Sequence, residues 1–99
     1  MLRSDHEENR LDLSDADLRD MQFGRIRMPF LSLAGASLIN TTFVRTDLTG
    51  ADFRRADLTN SSFVDATLAE VTFYRTRLHN VRFFNSTFHW TNFARADLS

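Results

Sequence analysis

Starting at Leu13 and stepping by five, the chain reads Leu13, Leu18, Phe23, Met28, Leu33, Leu38, Phe43, Leu48, Phe53, Leu58, Phe63, Leu68, Phe73, Leu78, Phe83, Phe88, Phe93 and Leu98. All eighteen are large and apolar, and the register never slips. At this composition chance would produce such a run roughly once in ten million trials. A period of five fits neither the 3.6-residue helix nor the two-residue strand. A short fixed period of this kind means a solenoid, in which each repeat packs only on its neighbours.

The residue two places before each centre is usually small, as at Ala16, Ala36, Thr41, Ala51, Ala56, Ser61, Ala66 and Ala96. Residues separated by one position share a side of an extended segment. The small residue and the large one therefore both face inward, while the Asp, Ser, Thr, Arg and Asn around them face out. Each unit reads as one short side of a coil ending in a turn. Taking every fourth centre sorts the residues into columns such as Leu18, Leu38, Leu58, Leu78, Leu98 and Phe23, Phe43, Phe63, Phe83. A step of fifteen mixes Leu with Phe, whereas a step of ten separates them nearly as well. Three sides are excluded; two and four stay open.

The units "ADLRD", "ADFRR", "ADLTN" and the terminal "ADLS" resemble the pentapeptide-repeat pattern, Ala-(Asp/Asn)-Leu-any-any, and the match covers residues 11–99. The resemblance implies an all-β fold, a right-handed quadrilateral β-helix with twenty residues per coil and about 4.5 coils. Residues 1–10 lack the repeat and are expected to form an N-terminal cap, with Ser4 and Glu7 as a capping box. Met21, Ile26 and Leu31 occupy small-residue positions beside Pro29, which predicts a distorted first coil with a bulge. The repeat runs to Leu98 with no cap after it, so a truncated chain or two copies meeting end to end is expected.

Chemistry is hard to place on such an object. There is no Cys, which excludes disulfides and thiolate metal sites. Of the three His, His79 and His89 fall two sides apart on a four-sided coil, and His6 lies before the repeat, so no metal site is expected. Asp17, Asp47, Asp52, Asp57 and Asp97 all precede a centre, where hydrogen bonding to the turn is the expected role. Only three Gly occur, at 24, 35 and 50, so no phosphate loop is present and no cofactor is expected. Asn40, Asn60 and Asn80 share a column and should form an amide ladder. The reading is a non-enzyme.

Two outward columns remain. Arg55, Arg75 and Arg95, with Arg54 beside them, form a candidate contact for an anion or acidic partner, with Asp52, Asp57 and Asp97 as nearby counter-charges. Val44, Val64 and Phe84, with Tyr74 and Trp90, form a candidate apolar interface. No apolar run approaches the roughly 20 residues of a membrane span, and no secretion signal is present, so the expected location is cytoplasmic. The leading function is a structural or protein–protein interaction module with an unknown protein partner, forming a homodimer through its C-terminal coil. Neither nucleic acid nor membrane is expected as a partner. One alternative, implied by the family resemblance, is a DNA mimic acting on DNA gyrase. It needs a dense negative surface, whereas residues 21–99 carry six acidic and nine basic groups, +3. The rod is also about half the length such a subunit needs. A second alternative is a regulatory fragment of a larger membrane or signalling protein.

Overall fold

The computed structural model describes residues 11–99, and the expected cap at residues 1–10 lies outside the described residues. The five-residue unit bends because its last outward residue takes a left-handed backbone. Every fifth residue from Asp15 to Arg95 has φ between 51° and 73°. Gly35 and Gly50 adopt this at no cost, and Asn, Asp and Arg fill most other corners. On three of the four sides the corner is a hydrogen-bonded turn, as in Ala56 N–H to Phe53 C=O (3.0 Å) and Ser61 N–H to Leu58 C=O (3.0 Å). A positive φ at the third residue of a closed four-residue turn is the type II signature.

The remaining side is extended. It carries β1 (Gln22–Gly24), β2 (Thr42–Val44), β3 (Ser62–Val64) and β4 (Arg82–Phe84), a parallel sheet in the order β1-β2-β3-β4. Phe23 pairs with Phe43, Phe43 with Phe63 and Phe63 with Phe83, a step of twenty that selects four sides over two. Isolated bridges on the other sides keep the same step, from Asp12 with Ser32 to Arg77 with Asp97.

Inside the tube the centres stack. Phe43 and Phe63 lie 4.7 Å apart and nearly parallel, and Phe53 and Phe73 form a second stack at 5.1 Å on the opposite side. The two columns meet edge to face, with Phe53 to Phe63 at 5.9 Å and Phe63 to Phe73 at 6.1 Å. Offset stacking and edge-to-face contact are the two favoured ring geometries, so both are met at once. Leu38, Leu58, Leu48 and Leu68 complete the buried core.

The expected bulge in the first coil is absent. β1 keeps the twenty-residue register and the corners at Arg25 and Phe30 are regular. The bulky residues fit because two of them are not wholly enclosed: Met21 is exposed and Ile26 half-buried. Leu31 is fully buried, in the same column as the small Ala51, which leaves it room.

Outward Asp residues tighten the turns as their spacing suggested. The carboxylates of Asp12, Asp52 and Asp57 accept the N–H two residues on at 2.9, 2.9 and 3.0 Å. Inward hydroxyls follow a second rule, donating to the carbonyl 23 residues earlier, as in Thr76 to Phe53 (2.6 Å) and Ser61 to Leu38 (2.6 Å). Thr46 breaks it: its Oγ1 is buried with no hydrogen-bond partner. A buried hydroxyl without a partner costs about 1–3 kcal/mol. Thr46→Val keeps the shape and removes the polar atom, so it should raise stability by about 1 kcal/mol in chemical denaturation. A loss of similar size would show that the hydroxyl is satisfied.

Candidate interaction surfaces

Among the described residues the tube interior is packed with Leu and Phe, which leaves the outward columns and the ends as candidate surfaces. Among the described residues no group of three or more His, Cys, Asp or Glu is placed to hold a metal ion. His79 and His89 stand on opposite sides, as the register requires.

The Arg column is built by the corners. Arg55, Arg75 and Arg95 occupy the same corner of successive coils, with φ of 60°, 56° and 56°. Below them the column continues through Gly35 to Asp15. Of the counter-charges expected from sequence, Asp52 serves Arg54, while Asp57 and Asp97 are engaged away from the column. Asp52 holds Arg54 in a fork, with Nε to Oδ1 at 2.9 Å and Nη2 to Oδ2 at 2.7 Å. This hydrogen bonding raises the Arg54 pKa further above its usual value. Asp57 accepts from Thr59 and faces Arg77 at 3.7 Å. Asp97 accepts from the Ser99 hydroxyl and N–H, which holds its carboxyl below the usual carboxylate range. Among the described residues, no carboxylate is within 4.0 Å of Arg55, Arg75 or Arg95.

Beside this column Ala34 and Gly35 leave a surface hollow of about 360 Å³, walled by Arg54, Arg55 and Tyr74. The Asp15 carboxylate lies over Gly35, so any side chain there would have to displace it. Arg75 lies over the Tyr74 ring, its guanidinium carbon 5.5 Å from the centroid. Planar cations stack readily on such faces, and the contact orients Arg75.

The five residues of the candidate apolar interface do not form one patch. Gly24, Val44, Val64 and Phe84 form a continuous stripe on the strand side. Tyr74 projects from the opposite side, above Arg54 and beside the Arg column. Trp90 stands at a corner of the last coil against His89, with ring centroids 5.6 Å apart. The Asn ladder forms in pairs: Asn80 donates to Asn60 (2.7 Å), and Asn40 donates to Asp20 (2.8 Å). A further pair, Asn85 to Asp65 (2.6 Å), sits in another corner column. Sequence reasoning missed it because Asp65 and Asn85 are different residue types.

The last coil differs from the others. Phe88, Phe93 and Leu98 are 42%, 36% and 67% exposed, whereas Leu68 and Phe73 one coil earlier are fully buried. Phe84 and Trp90 are exposed beside them, at 68% and 82%.

A four-sided parallel coil with stacked central Leu and Phe, left-handed corners and Asp-bonded turns defines a class of solenoid, the right-handed quadrilateral β-helix. The chain belongs to the pentapeptide-repeat family: residues 36–99 match the family described as the pentapeptide repeat region. Among solved structures it is similar to a pentapeptide repeat protein of the Arabidopsis thaliana thylakoid lumen. Identity there is 30%, TM-score 0.85, and the match covers 88% of this chain and 61% of that one. It is also similar in fold to HetL of Nostoc sp. strain PCC 7120, a pentapeptide repeat protein involved in heterocyst differentiation regulation. Here identity is 17%, TM-score 0.60, and coverage 87% of this chain and 46% of that one. The chain thus spans about half to three-fifths of the length of these relatives. Comparison with curated protein sequences gave no match.

Proposed function

We propose that this chain is a non-enzymatic protein–protein interaction module that associates with a second copy through its last coil. The supporting observation is the exposure of that coil. Residues whose counterparts one coil earlier are sealed in the core stand open to water here: Phe88, Phe93 and Leu98. Burying an apolar side chain of this size is worth roughly 1.5–3 kcal/mol, so several together favour association. The coil's edge adds to it. In the body, N–H groups of the centres donate to the next coil, as Leu68 does to Thr87 (2.9 Å) and Phe73 to Asn92 (2.7 Å). Among the described residues no backbone carbonyl accepts from the N–H of Phe88 or Phe93, so another strand can pair with them. A convex tube with a packed interior also lacks the water-excluded cleft in which a paired acid and base work.

The test is solution mass by size exclusion with light scattering over a concentration series. A dimer should form in the micromolar range, and Leu98→Arg with Trp90→Arg should weaken it at least tenfold. Both side chains are exposed, so the fold should survive the change. A wild-type monomer at every concentration would overturn the proposal.

A further inference from the structure

We propose that the Arg55, Arg75, Arg95 ladder docks the acidic face of a partner protein's α-helix. The inference deepens the interaction-module reading by naming a partner's chemistry, and it does not depend on self-association.

Charge comes first. Among the described residues, Arg19, Arg27, Arg54 and Arg77 each face a carboxylate on the tube itself. The three ladder residues do not, although Asp52, Asp57 and Asp97 all lie nearby in sequence. Three like charges on adjacent rungs repel one another, and a complementary surface relieves that repulsion. The pattern is local, since chain-wide the net charge is only −1.

Spacing selects the partner. Rungs of a parallel β-helix lie about 4.8 Å apart, so Arg55 to Arg95 spans about 9.6 Å. Acidic residues one turn apart on a helix rise about 5.4 Å, or about 10.8 Å over the same two steps. The Arg stems absorb the difference of about 1 Å. Same-face residues of an extended strand lie about 6.8 Å apart and overshoot by about 4 Å. A helix with Asp or Glu at i, i+4 and i+7 therefore fits best, lying along the tube axis.

The surroundings suit a helix. Tyr74 holds Arg75 in place beneath the contact, and the fork to Asp52 holds Arg54 aside as a wall. The hollow over Ala34 and Gly35 accepts a side chain from the next turn of the partner. Asp15 at the foot of the column gives the docking a direction, because a basic residue beyond the acidic run would meet it.

The probe is a labelled alanine-based helical peptide of about 18 residues with Glu at i, i+4, i+7 and i+11. A control peptide of identical composition spreads its Glu around the helix. Fluorescence anisotropy at low salt should show the one-faced peptide binding at least tenfold tighter than the control. Arg75→Glu should weaken it at least tenfold, whereas Arg45→Glu, an equal charge change at a different corner, should weaken it less than threefold. Thermal melts confirm that each variant is folded; should Arg75→Glu melt early, Arg55→Gln with Arg95→Gln replaces it. Equal affinity for the two peptides, no measurable binding, or equal effects of the two Arg changes would overturn the proposal. So would a single-stranded oligonucleotide that binds tighter than the peptide. Leu98→Arg with Trp90→Arg should leave peptide affinity unchanged, so loss of the dimer and loss of the ladder contact read out separately.

Discussion

Phe63→Ala is expected to destabilise the protein by about 3–5 kcal/mol, enough to consume much of a small domain's stability. Phe63 is fully buried and touches four other rings: Phe43 and Phe83 stacked at 4.7 and 5.1 Å, and Phe53 and Phe73 edge-on at 5.9 and 6.1 Å. Neighbouring coils have no easy way to collapse into the gap, because their spacing is set by backbone hydrogen bonds. The same change at Phe88, 42% exposed in the last coil, should cost about 1 kcal/mol. Urea unfolding followed by circular dichroism measures both. Equal losses at the two positions would mean that stacking through the middle of the tube is not the source of stability.

Gly50→Val should be the next most damaging single change, at about 2–4 kcal/mol, from two separable causes. Gly50 has φ +73°, a region that β-branched residues strongly resist. A Cβ there would also come within 2.6 Å of the Phe30 ring, which lies across the glycine from the coil below. Gly50→Asn separates the causes, because Asn tolerates the backbone and already serves at the corners of residues 40, 60 and 80. It should cost about 1 kcal/mol, and Phe30→Ala in the same background should recover part of that. If Asn is as harmful as Val, the ring contact dominates; if Asn is neutral, the backbone does. A neutral Gly50→Val would refute both causes.

The fold was legible because its core is one-dimensional. Columns at steps of twenty bring like residues together without any long-range information, and the family resemblance chose four sides over two. The Asp residues before Leu58 and Phe53 were read as turn-formers on chemical grounds, and they are. The first coil was misjudged for a physical reason. Met21 and Ile26 break the small-residue rule, but Met21 is exposed and Ile26 half-buried, so neither has to be packed wholly inside the tube. The corners were also incompletely read. Trp90, Phe30 and Glu70 show no left-handed preference, yet all three adopt it with φ of 58°, 64° and 58°. The coil overrides local propensity there.

The surfaces were harder to read because pairing depends on side-chain direction. Asp52, Asp57 and Asp97 looked like counter-charges for the ladder, but Asp52 and Asp97 bond residues two places on and Asp57 faces Arg77 of the next coil. Tyr74 looked like part of an apolar interface and instead supports Arg75. Nothing in the sequence marks Thr46 as the inward hydroxyl that fails to reach a carbonyl, since Thr41 and Thr76 obey the rule from equivalent positions.

The twenty-residue pairing register has a consequence for how such a chain can change length. Losing one pentad keeps every large residue inward, yet it shifts all later residues by one side, setting Phe over Leu and scattering each outward column. Losing four pentads at once removes a whole storey and leaves the columns above and below aligned. Partners that touch a column would meet the same surface on a shorter building. Lineages of this fold are thus free to vary in height by whole storeys, while smaller steps rewrite every face above the cut.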